Sequence, residues 1–215
     1  MKNIKVKNNM KRAIQVFDEW ADKGRDEGME RGHASSGARI IEIAQSINSN
    51  KRAVSIIDIG CGNGWMLKKA TSTLEDSYGV GVDGSSNMVR KAQSKDSLNS
   101  YLCEDLNHWV PKNTFDIVIS MEVLYYLDSP NDFLKNIYLN GMKNGSIIII
   151  GIDHYLENEQ SLSWPQDLSV NMKTLSISEW VDTFDSVGFS SVNYEQHAPK
   201  DNWMGTLIVS AKKVF

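Results

Sequence analysis

The stretch Val54-Ser55-Ile56-Ile57-Asp58-Ile59-Gly60-Cys61-Gly62-Asn63-Gly64 constrains this chain more than any other. A β-branched run with a carboxylate near its end, three glycines at alternate positions, and then Met66, Leu67, Ala70 and Leu74 at helical spacing read as strand, tight turn and helix. Glycine removes the Cβ that would hold a ligand off the backbone, and the N–H groups opening a helix favour negative charge. The unit is therefore suited to a small ligand. Its pattern, D-x-G-x-G-x-G, departs from the G-x-G-x-x-G of dinucleotide folds, whose third glycine lets helix and strand pack closely.

The segments that follow repeat the strand-then-carboxylate theme. Tyr78 to Asp83 is a second strand, and Asp83 stands 25 positions after Asp58, near the separation at which an acid on the neighbouring strand takes ribose hydroxyls. Ser85 can cap the next helix, with Met88, Val89 and Ala92 as its inner face. Leu98 to Cys103 is a weaker strand ending in Glu104-Asp105-Leu106. A carboxylate there accepts from an exocyclic amino group and Leu106 covers a ring face, which suits adenine, although acids are common in loops. Phe115 to Ser120 is a buried strand opening into Met121-Glu122-Val123-Leu124-Tyr125-Tyr126-Leu127. Ser129-Pro130 starts a helix, Asn144-Gly145 turns into the strand Ser146 to Ile152, and Ser176-Ile177-Ser178-Glu179 is a capping box for a helix stopped by Gly188. Two strands close the chain, Ser190 to Glu195 and Gly205 to Lys212. Strand and helix alternate throughout, which predicts a mainly parallel sheet with right-handed crossovers.

Upstream, Ile14, Phe17, Trp20 and Ala21 predict a helix from about Met10 to Lys23, preceded by a basic, solvated tail. Lys23 to His33, charged and broken by Gly24, Gly28 and Gly32, reads either as a solvated connector or as a flap that closes over a pocket. A second helix runs over Ile40, Ile41, Ile43, Ala44 and Ile47. His154 to Leu175 has no periodicity and carries Tyr155, Trp164, Pro165 and Met172, as an ordered substrate loop would.

With 215 residues and 41% hydrophobic content, one domain over 1–215 is expected: an N-terminal helix and lid in 1–39, then a core in 40–215 with the substrate loop at about 154–175. A formal net charge of −4 argues against a general grip on nucleic acid. The first residues lack the apolar stretch of a signal peptide, and Ile147 to Ile150 is too short to span a bilayer, so a cytoplasmic protein without membrane contact is expected. Cys61 and Cys103 each follow a strand; if the sheet has the order that the resemblance given below implies, one strand lies between them, on the order of 10 Å apart, and both should be free thiols. No Cys/His spacing resembles a structural zinc site, and no metal is expected.

On Ile57 to Gly64, Asp83 and Glu104-Asp105, the chain resembles the class I S-adenosylmethionine-dependent methyltransferases over roughly Ile40 to Phe215. The resemblance implies an α/β, Rossmann-like three-layer sandwich whose seven-stranded sheet has the order 3-2-1-4-5-7-6, with the last strand, Gly205 to Lys212, antiparallel. It also implies S-adenosylmethionine as cofactor, with Gly60, Cys61, Gly62 and Gly64 along its methionine part and Asp58 steadying the loop and its amino group. Asp83 and Gly84 would lie at the ribose, and Glu104 and Asp105 at the adenine. Asp105 would take the amino group, while Leu106 and Met88 cover the ring. Ser120, Met121 and Glu122 would line the sulfonium end. Trp20 and Arg25 would come from the lid, with Arg25 meeting the cofactor carboxylate.

For a hydroxyl acceptor, His33, Glu122 or His154 could take the proton, and Tyr125, Tyr126, Tyr155 and Trp164 could line the acceptor pocket. Ser120-Met121-Glu122-Val123 stands where amino-group nucleic-acid methyltransferases carry Asn/Asp-Pro-Pro-aromatic, and there is no Pro-Cys pair for a cytosine-C5 mechanism. A small-molecule acceptor is therefore expected, with RNA or protein as the alternative acceptor and a catalytically silent partner subunit as a third reading.

Overall fold

A computed structural model describes residues 10–47 and 53–214; the basic tail expected over the first residues falls mostly outside them. In chain order the elements are α1 (Ala13–Asp22), α2 (Asp26–Ile47), β1 (Ser55–Ile59), α3 (Trp65–Thr73), β2 (Tyr78–Asp83), α4 (Ser86–Lys95), β3 (Ser100–Cys103), β4 (Phe115–Met121), α5 (Pro130–Asn136), β5 (Met142–Ile152), α6 (Trp164–Leu168), α7 (Ile177–Val187), β6 (Ser190–His197) and β7 (Thr206–Lys212). The sheet order is β3-β2-β1-β4-β5-β7-β6, parallel except for β7, which runs antiparallel to both neighbours. Sheet order and the antiparallel strand are those the resemblance implied.

Alternate residues of the central strands feed two cores, which is why β1, β4 and β5 read as unbroken apolar runs. Ile57, Ile59, Val118 and Ile148 pack on the side of α5 and α7 with Trp180 and Phe184. Ile56, Ile117, Ile119 and Ile149 pack on the side of α2, α3 and α4 with Ile40, Ile41, Leu67 and Val89. Helices thus cover both faces. The carboxyl ends of β1, β2 and β4 converge on one rim, where an open α/β sheet binds its ligand.

Two local expectations change. The charged segment from Lys23 to His33 is not a loop: after a turn at Gly24, α2 begins at Asp26 and runs unbroken through Gly28, Gly32 and Gly37 to Ile47, with Asp26, Met29 and His33 facing the binding rim. Glycine costs a helix interior about 1 kcal/mol per residue. Here the apolar face of Ile40, Ile41 and Ala44 and the acids Asp26 and Glu27 in the first turn offset that cost. The loop from His154 to Leu175 holds a short 3-10 turn, Glu159–Ser161, and then α6. β3 also starts two residues late, and Leu98 is left 91% exposed.

Candidate functional site

The glycine turn is shaped by β2. Gly60 N–H and Cys61 N–H both donate to Val82 C=O, at 2.7 and 3.1 Å, folding the chain back over the sheet edge. Gly60 sits at φ +70°, and a Cβ there would stand 2.1 Å from the Val123 side chain. Gly62, at φ +52°, has nothing within 4 Å of where a Cβ would be, so its surface is open to a ligand. Asp83 fixes this turn: its carboxylate accepts Gly62 N–H at 2.9 Å and Ser85 N–H at 2.7 Å. Burial raises the Asp83 pKa, opposed by those two N–H dipoles.

Beneath the turn lies Asp58, 1% exposed, with neither carboxylate oxygen hydrogen-bonded. Burial, and then the charge of Asp83, push its pKa well up; the N–H of Leu67 opposes them without reaching hydrogen-bonding geometry. A buried, unpartnered carboxyl facing a cavity is a place for a cationic group.

The cavity measures about 250 Å³ and is lined by Asp58, Gly60, Cys61, Gly62, Asp83, Gly84, Met88, Asp105, Leu106, Met121, Glu122, His33 and Tyr126. Its cover is α1 and the residues just before it. Asp18 accepts from Ser85 Oγ–H and from Asn87 N–H, docking α1 on the start of α4. Phe17 meets Tyr126 edge-on, and Ile14 lies where a Cβ on Gly84 would be. Arg12 pairs with Asp105, and Lys11 N–H donates to Ser169 C=O at 2.7 Å, closing the rim against Val170 and Asn171. The Asp105 pKa is held down: burial works to raise it, and the Arg12 bond, the Asn107 N–H and the Arg12 charge together outweigh burial.

At the other end stand His33, Glu122 and Asp153. Glu122 has φ +63°, a costly backbone for a non-glycine residue. Its carboxyl accepts Asp153 N–H at 2.6 Å and the Tyr125 hydroxyl at 2.6 Å. Burial and the neighbouring Asp153 charge raise its pKa to about 8, against the opposing effect of His33. His33 Nε2 is 3.4 Å from Asp153 Oδ2, and the Met29 backbone also favours the charged ring. Burial works to lower the His33 pKa, but Asp153 and Glu122 outweigh it and raise it to about 8.

A family model described as a methyltransferase domain matches residues 57–149, the span from the strand before the glycine turn to the middle of β5. A chain from the complex between the Haloferax volcanii Trm112 methyltransferase activator and a methyltransferase superposes with TM-score 0.80 at 25% identity, over 93% of this chain and 98% of that one. Residues 57–149 thus carry a methyltransferase domain, and the fold is that of the class I S-adenosylmethionine-dependent methyltransferases. Among curated relatives, malonyl-[acyl-carrier protein] O-methyltransferase 2 of Ilyobacter polytropus is 23% identical over 93% of this chain and 74% of its own length. The tRNA U34 carboxymethyltransferase of Haemophilus ducreyi is 27% identical over 64% of this chain and 45% of its own. The first curated relatives are spanned over 44%, 74% and 34% of their lengths.

S-adenosylmethionine is the cofactor of this methyltransferase family, and the cavity fits it: an unpartnered buried acid for an ammonium, and an open glycine surface for a thin chain. Several residues expected at the site stand elsewhere. Arg25 is exposed, with its guanidinium 6.0 Å from the Trp20 ring centroid, and neither residue lines the cavity. Gly64, at φ +81°, opens α3 behind the turn. Glu104 is exposed, while Ser120 is buried and donates to Ile59 C=O. His154 is core, bonded to Ser161 C=O and Thr174 Oγ1, and burial lowers its pKa. Tyr155 is fully buried and donates to Gly205 C=O; Tyr125 is buried on Glu122; Trp164 stacks between His154 and Trp203. Of the expected aromatic residues only Tyr126 reaches the cavity.

Sequence reasoning missed Arg12, Ile14, Phe17, Val170 and Asn171 as cavity wall, and Asp153 beside it. Ile14 and Phe17 were visible as an apolar helix face, but a face does not name the surface it covers. Among the described residues no helix is long and apolar enough to cross a membrane.

Proposed function

We propose that this chain transfers the methyl group of S-adenosylmethionine to a small-molecule acceptor. The observation that carries the reading is the cover: α1, Arg12 and the Val170–Asn171 edge lie over the cavity, which favours a small acceptor over a polymer. The cofactor, when bound, supplies a methyl group made electrophilic by its sulfonium. Asp83, with one backbone N–H already on each oxygen, keeps lone pairs for two ribose hydroxyls. Asp58 takes the ammonium and the open surface at Gly62 takes the methionine chain, while Leu106 and Met88 flank the adenine. Asp105 is shared between the adenine amino group and Arg12. Holding donor and acceptor in line is the main catalytic contribution, worth on the order of 7 to 11 kcal/mol in well-oriented systems. Of the three bases expected from the sequence, Glu122 and His33 line the cavity, where either can take an acceptor proton, and His154 does not.

A second reading, an enzyme that works with an activator subunit on a macromolecule, is favoured by the neighbour solved with Trm112 and by the tRNA-named relative. Methyl-labelled cofactor incubated with separated fractions of cell extract tests both. The expected result is label in the low-molecular-weight pool. Label confined to RNA or protein overturns the first reading in favour of the second.

A further inference from the structure

His33, Glu122 and Asp153 lie on three different elements, α2, the end of β4 and the end of β5, and each offers a ligand atom within 4.8 Å of the other two. Their sequence separation hides them from any spacing rule. Two carboxyl groups and one imidazole meet in a pocket where Glu122 and Asp153 are at most 8% exposed. Asp153 Oδ1 is buried with no hydrogen-bond partner. Two carboxyl groups crowded this way favour a cation beside them, a place that the His33 proton fills until a metal ion displaces it.

The surroundings are those of metal ligands. Nε2 is turned to Asp153, so a neutral ring with its proton on Nδ1 presents an Nε2 lone pair to the cluster. Glu122 is oriented by the Tyr125 hydroxyl and the Asp153 N–H, and the Asp153 carbonyl accepts from Asn158 Nδ2 at 2.7 Å. The 3.4 Å between His33 Nε2 and Asp153 Oδ2 is long for a strong hydrogen bond. It matches the ligand–ligand edge of about 3.4 Å that metal–ligand bonds of 2.0 to 2.2 Å give in a tetrahedron. A side-chain shift of about an ångström closes the widest edge.

We propose that His33, Glu122 and Asp153 bind one divalent transition-metal ion, of the zinc or manganese kind, with its open positions toward the cavity. One nitrogen and two oxygen donors suit such an ion better than magnesium or calcium, which prefer all-oxygen sites. His33 and Glu122 line the cavity, so an ion there touches the acceptor end. Its use, to hold an acceptor oxygen, rests on the transferase reading; its binding does not.

Calorimetric titration of the metal-stripped full chain with Zn²⁺ and Mn²⁺ tests the site, with S-adenosylhomocysteine binding followed separately. One ion per chain is expected, with affinity reduced about 100-fold or more by Asp153→Asn and by His33→Gln, and about 10-fold by Tyr125→Phe, which removes only an orienting bond. Circular dichroism checks that each variant folds, and His33→Gln, on the half-buried α2 side chain, keeps the test alive should Asp153→Asn not fold. No binding at about 1 mM ion, or binding undiminished in the folded variants, overturns the proposal. Ion binding without S-adenosylhomocysteine binding would instead count against the transferase reading alone.

Discussion

Asp58 sets two demands against each other. Its pKa is raised in the folded chain, so ionising it costs stability as pH climbs above the unfolded value of about 4. Asp58→Asn should therefore melt higher than the parent at neutral pH, by on the order of 1 kcal/mol, and equal it at acidic pH where both side chains are neutral. The same change should weaken S-adenosylmethionine binding about tenfold by calorimetry, since a buried counter-charge is lost. Unchanged cofactor affinity would remove Asp58 from the ammonium. Asp83→Ala should cost more, because it frees Gly62 N–H and Ser85 N–H as well as the ribose contacts, at roughly 1.5 to 3 kcal/mol per charged hydrogen bond. An affinity within twofold of the parent would refute that placement. Asp58, Gly60 and Asp83 could be read from the sequence because strand, turn and acid are neighbours along the chain. Arg25, His154 and Tyr155 misled because their residue types suit a site, while burial and direction, which decide, are set by contacts far away in sequence.

At the scale of elements, α2 corrects the reading of Lys23 to His33. Three glycines and dense charge mark a connector only while the segment is considered alone; anchored by the pair of buried Asp26 with half-buried Lys91 at 2.6 Å and by Asn63, it continues a helix. Burial works against the Asp26 charge, but Lys91 and Asn63 outweigh it and hold its pKa below the usual range. Gly28 and Gly32 have open space where a Cβ would go and lie in this helix. Gly28→Ala with Gly32→Ala should raise stability by about 1 to 2 kcal/mol in denaturant titration, whereas a connector would show no gain. The cover over the cavity is α1, while Asp26, Met29 and His33 of α2 form part of its wall. Arg12→Ala should speed S-adenosylhomocysteine release in stopped-flow measurements while leaving α1 docked through Asp18; an unchanged rate would mean that Arg12 takes no part in closure.

For the molecule as a whole, alternation of strand and helix predicted a mainly parallel sheet with right-handed crossovers, and the order of the seven strands followed from the family likeness. What stayed hidden was closure, since the Arg12–Asp105 and Lys11–Ser169 contacts join segments far apart in the chain. Because ligand binding draws on the folded state alone, S-adenosylhomocysteine at about 100 times its dissociation constant should add about 2.7 kcal/mol, a rise of about 5 to 11 °C in Tm, and NADH none. Equal shifts from both would dispute the cofactor. The contacts of Lys11 and Arg12 also mean that the doorway is fastened by the incoming end of the chain rather than swung on an internal hinge. Whatever is joined ahead of Met10 then weighs on the latch, while the end of β7, paired to Ile147 at the opposite rim, does not. A bulky fusion at the amino end should change the rate at which product leaves, and the same fusion at the carboxyl end should leave that rate alone.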